Sequence, residues 1–225
     1  MIDLIIAHDN AVVLAENQLL SEIAEVLHDA LPDNNGNFAD MLSSEKILRT
    51  MTTSYFEMLG TLSKTKRGLE VLNKHKVFDY LPLLAALPSR DDICNLIIQN
   101  LDYNTPGPSR VVLAKSLNAK SQVVRYLATK RLQALMRSGV SDFTEWGVRF
   151  LVQKLSDENT RVSSFALGIL EEAACNTSLL DSLISKRAFD VLSTMGKPGK
   201  ELLTRFLSRT TGFSYVCVCV ILGSF

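Results

Sequence analysis

One apolar stripe is written twice in this chain at a fixed separation, and that limits the folds available to it. Val124, Ala128, Leu132 and Leu135 fall at i, i+4, i+8 and i+11, and Val162, Ala166, Leu170 and Ala173 repeat those offsets 38 residues later. This spacing puts each set of four on one face of a helix. Polar, turn-forming residues precede both copies, Asn118–Ser121 and Ser156–Thr160. Between the copies, Val148, Leu151, Val152 and Leu155 form a third stripe, led by the single tryptophan, Trp146. A helix with one apolar face cannot bury it alone, whereas stacked neighbours can, and a period near 40 residues is that of HEAT and armadillo units. The pattern therefore predicts an all-α, HEAT/armadillo-like α-solenoid of stacked helical repeats.

The remaining segments read as helices of the same kind. A first is expected over 10–31, with Leu20, Ile23, Leu27 and Leu31 on one face, ending at the helix-breaking run Leu31–Asn37. A second starts near Glu45 with the stripe Met51, Tyr55, Met58, Leu59 and Leu62. Shorter ones follow at 66–74 and 76–87, then a helix capped by Ser89–Asp92 that carries Cys94, Ile97, Ile98 and Leu101. Another begins at Ser109 after a turn with two prolines, and others are expected at 178–187 and 200–207. Gly196–Gly199 reads as a turn, and Tyr215–Val220 is the one stretch with strand-like character. The implied organisation is an N-terminal helix and hinge loop (1–37), a helical segment (38–107), a helical-repeat segment (108–215) and a divergent apolar tail (216–225).

Charge narrows the function classes. The 225 residues carry 24 basic and 24 acidic side chains, so no general excess is available to neutralise nucleic-acid phosphates. The hydrophobic fraction of 47% with 21% charged residues is that of a globular chain. Cys94 and Cys175 are single and sit in apolar helices, and Cys217-x-Cys219 has too short a spacer for a zinc knuckle, so buried free thiols in a reducing compartment are expected. The start, Met1–Ile6, lacks a secretion signal, and the apolar run Val216–Leu222 is too short to span a bilayer. The expectation is a soluble cytoplasmic chain without a transmembrane segment.

No grouping of residues reads as an active site. Gly196-Lys-Pro-Gly-Lys200 lacks the phosphate-loop spacing, with Val191 where a glycine is required and no Ser or Thr after either lysine. His8, His28 and His75 are far apart and have no paired ligand at metal-site spacing. No Gly-x-Ser-x-Gly elbow occurs, and neither Cys94 nor Cys175 has a sequence neighbour that would activate it. Glu171 and Glu172 diverge on their helix and read as a solvated face. Asn176-Thr-Ser178 fits the glycosylation pattern but reads as a polar turn. No cofactor and no metal are expected. Two basic clusters stand out: Lys64, Lys66 and Arg67 in one turn, and Arg125, Lys130, Arg131 and Arg137 on the first repeat helix. Each is either a solvated outer face or a docking patch for an acidic partner surface.

Several strings resemble the Rictor family, the companion subunit of the second TOR kinase complex. They include Leu101-Asp-Tyr103, Arg110–Ser116, Arg125–Leu132, Trp146-Gly147, Phe165–Ala173, Leu203–Leu207 and Gly212–Tyr215, with Ser54–Gly60 and Ser89–Asp92 upstream. The resemblance covers about residues 45–215. It implies a non-catalytic scaffold of TOR complex 2 that binds the TOR kinase and Sin1 and supports phosphorylation of AGC-family kinases. Actin cytoskeletal organisation and growth signalling lie downstream, and location within the complex is membrane-peripheral. Part of the region is likened to the N-terminal module of Ras exchange factors, without exchange activity. Members of the family are far longer, and the sequence after Tyr215 leaves their pattern. A generic helical-repeat adaptor unrelated to TOR is the other reading.

Overall fold

The structure, a computed structural model, describes residues 19–31, 52–88, 90–186 and 189–221. Among the described residues every regular element is an α-helix, and the all-α helical-repeat architecture expected from the sequence is the one observed. The start of the helix expected at 10–31, the loop 32–37, the helix start at Glu45 and the tail beyond 221 lie outside the described residues. Two compact units divide the chain, 1–128 and 129–225.

The first unit contains α1 (Leu20–Asp29), α2 (Thr52–Ser63), α3 (Lys66–Lys74), α4 (Val77–Leu84), α5 (Asp91–Asn100) and α6 (Pro108–Leu117). Contacts run α2 to α3 and α5, α4 to α1, α3, α5 and α6, and α5 to α6. Their buried faces meet in a core of Leu59, Leu72, Leu81, Leu84, Ile93, Ile97, Ile98 and Leu113, each no more than 1% exposed. The stripe expected on α2 holds at Leu59 and Leu62 but not at Tyr55, and Met51 lies outside the described residues. Tyr55 is 42% exposed and Phe56 is buried in its place, because α2 turns Phe56, Leu59 and Leu62 toward α5. The cap expected from Ser89–Asp92 also differs: Arg90 holds the position before α5, makes no side-chain cap and instead grips Asp92 through Nε and Nη2 at 3.0 and 3.2 Å. Pro108 opens α6, where its missing N–H costs nothing.

Buried polar groups fasten these turns. Ser63 Oγ accepts from the Asp102 amide at 2.9 Å, and the Tyr103 hydroxyl donates to the Ile98 carbonyl at 2.9 Å. Arg110 closes the same corner, donating to the carbonyls of Tyr103 and Asn104 at 3.0 Å each. The Tyr103 hydroxyl in particular is a buried group that would be costly to leave unpaired.

The division between the units falls within α7 (Gln122–Arg137). The second unit continues with α8 (Phe143–Lys154), α9 (Thr160–Ala173), α10 (Thr177–Ser185), α11 (Phe189–Thr194), α12 (Gly196–Phe206) and α13 (Thr210–Ile221). Here α8 packs on α9 and α10, α9 on α10 and α12, and α13 on α10 and α12. All eight residues of the duplicated stripe are buried, none more than 5% exposed. The equivalence extends to the caps. Ser121 Oγ accepts from the Val124 amide, and Asn159, 38 positions on, accepts from the amides of Arg161 and Val162. In the third stripe Val148, Leu151 and Leu155 are buried, while Val152 is only half-buried. Trp146 sits at the margin, edge-on to Phe143 and Phe150. The turn from α8 to α9 holds a buried ion pair, Lys154 Nζ to Asp157 Oδ2 at 3.2 Å.

Two segments near the end take a different form from that expected. Gly196–Gly199 is the first turn of α12, where Pro198 is tolerated because no helical N–H bond is lost. Close packing keeps Gly199 a glycine, since a Cβ there would come within 2.0 Å of the Leu192 carbonyl oxygen. Tyr215–Val220 is helical, within α13. A helix satisfies its own backbone groups without a partner strand, and it lets α13 pack on α10 and α12 with Tyr215 near the Phe206 ring.

Candidate docking surface

The four basic residues singled out on α7 do not share one surface. Arg125 is buried, 6% exposed, and its Nη1 donates to the carbonyls of Ala119 and Lys120 at 3.0 and 3.1 Å. It acts as a C-terminal tie for the turn before α7. Lys130 is exposed and Arg131 half-buried. Arg137 is exposed but held by Glu172 on α9, Nε to Oε1 at 2.7 Å and Nη2 to Oε2 at 2.9 Å. Gln133 adds a third bond to the same carboxylate at 3.0 Å. Glu172 is therefore no idle member of a solvated face: hydrogen bonds from Arg137 first, then Gln133, hold its carboxyl below the usual range. Helical periodicity puts it on the outside, and only the packing of α7 beside α9 supplies the guanidinium.

The other cluster is more open. Lys64, Lys66 and Arg67 are all exposed around the turn from α2 into α3. Thr65 caps α3, accepting from the Gly68 amide at 3.0 Å. No acidic residue occupies the first turn of α3.

The thiols separate by environment. Cys94 is buried, donates to the carbonyls of Leu84 and Leu87, and is pushed up to about 12 mainly by burial. Cys175 is exposed, contrary to the expectation of burial, because it lies past the end of α9. Arg205 on α12 brings Nη1 within 3.3 Å of its sulfur, a neighbour distant in sequence and invisible to a linear reading.

Asn176 caps α10, its side-chain oxygen accepting from the amides of Ser178 and Leu179, which is the polar-turn role. His28 lies beside Asp29 and Tyr80, and His75 Nδ1 lies 3.3 Å from Ser21 Oγ. His8 lies outside the described residues. Among the described residues no three His, Cys, Asp or Glu side chains group as a metal site, and no helix is long and apolar enough to cross a membrane. The second unit has an open cleft of about 730 Å³ lined by Asp181, Ile184, Ser185, Ser208, Arg209, Thr210 and Thr211. Its two charged groups bind each other, Arg209 donating to both Asp181 oxygens at 2.9 and 2.6 Å, and this holds the Asp181 carboxyl below its ordinary value.

Duplicated helical stripes, equivalent caps and outward-facing charged side chains define a helical-repeat protein of the HEAT/armadillo kind. Two family models match it in tandem: the middle domain of the rapamycin-insensitive companion of mTOR over residues 34–136, and that protein's RasGEF_N domain over 142–218. Protein pianissimo A of Dictyostelium discoideum is 45% identical over 212 residues, 88% of this chain and 18% of its own length. The rapamycin-insensitive companion of mTOR of Homo sapiens is 40% identical over 175 residues, 78% of this chain and 10% of its own. Target of rapamycin complex 2 subunit ste20 of Schizosaccharomyces pombe is 32% identical over 206 residues, 90% of this chain and 16% of its own. The chain belongs to the Rictor family, that of the rapamycin-insensitive companion of mTOR. It spans between 10% and 18% of the length of these relatives.

Proposed function

We propose that this chain is a non-catalytic scaffold segment of TOR complex 2, holding partner proteins on a helical surface in the cytoplasm, with membrane-peripheral placement as part of the complex. The observation that carries this reading is the tandem match to two Rictor domains, together with relatives named as a companion of mTOR and as a target of rapamycin complex 2 subunit. The partners on this reading are the TOR kinase and Sin1, and the outcome is support for phosphorylation of AGC-family kinases and for actin organisation. The absence of a grouped catalytic set in the sequence agrees with a role in assembly.

The partner-facing part is placed in the repeat segment 108–215. Within the α7 cluster, Lys130 and Arg137 are the members positioned to meet a partner, whereas Arg125 serves the turn before the helix. Co-precipitation of the full chain with the TOR kinase and with Sin1 tests the proposal. Retention of either, weakened by Lys130→Glu with Arg137→Glu, supports it. A folded chain that retains neither partner overturns the assignment of those contacts to this segment and puts them elsewhere in a protein of the relatives' length.

A further inference from the structure

We draw no further inference here: the strongest candidate, the uncharged outer face of α13 where Phe213 and Val218 stand 56% and 52% exposed, is an unpartnered apolar face, and nothing in the structure shows what covers it.

Discussion

Replacing Ala166 with phenylalanine tests the repeat at a fully buried position. Ala166 is 0% exposed on α9, the helix that packs against α8, α10 and α12. Interiors at native density have no void for a phenyl ring, and inserting even extra methylenes into such a site costs about 1–3 kcal/mol. A ring should reach the upper end, about 3 kcal/mol, or force α9 away from its neighbours. If the second unit, residues 129–225, melts as its own domain, each kcal/mol lowers Tm by about 4–8 °C. The assay is thermal and urea unfolding of the full chain followed by helical circular dichroism. Ser164→Phe, on an exposed position of the same helix, is the control and should stay within about 0.5 kcal/mol. Ala128→Phe, one repeat earlier and equally buried, should act in the same direction. An Ala166→Phe protein with unchanged Tm and urea midpoint would refute the idea that the two stripes occupy equivalent close-packed positions.

Other outcomes follow from particular contacts. Gly168 is exposed, and a Cβ added there would meet nothing within 4 Å, so Gly168→Ala should stabilise by about 0.5–1 kcal/mol in urea titration. Gly60→Ala should destabilise in the same titration, because its Cβ would lie 2.1 Å from the Asn100 carbonyl oxygen. Glu172 and Asp181 have carboxyls lowered by Arg137 and Arg209. The stability they contribute is present above their ordinary values of 4.5 and 3.8 and is lost as pH falls through the lowered ones. Glu172→Gln with Asp181→Asn should therefore flatten the acid limb of a stability–pH curve, and an unchanged limb would count against both pairs. A thiol reagent at neutral pH should label Cys175 in the folded chain and reach Cys94 only on unfolding, because the Cys94 thiol is buried and pushed up to about 12.

The duplicated stripe is legible in the sequence because a solenoid helix buries whatever lies at i, i+4, i+8 and i+11, and no long-range information is needed to see it. The inward aromatic of α2 is not, because Tyr55 and Phe56 are adjacent aromatics, and which of them turns inward depends on where α5 lies. The strand-like character of Tyr215–Val220 misleads for a related reason. Its β-branched residues favour extended backbone locally, and the packing of α13 on α10 and α12 overrides that preference. The α7 cluster reads as one basic face because charge is countable along a sequence and partners are not. Glu172 lies 35 residues from Arg137, and the carbonyls that take Arg125 belong to a turn whose shape the sequence does not spell out.

By itself, then, the sequence determined the helical class, the period of the repeat, the buried positions of each duplicated stripe and the neutral overall charge, all of which depend on residue type and spacing along the chain. Tertiary structure decided what each charge faces. Arg125 folds onto its own turn, Arg137 closes on Glu172, Arg209 on Asp181, and Lys64, Lys66 and Arg67 stay on an exposed helix start. The reason is physical: burial follows from local periodicity, whereas the surroundings of a charge are set by which distant helix the fold brings beside it.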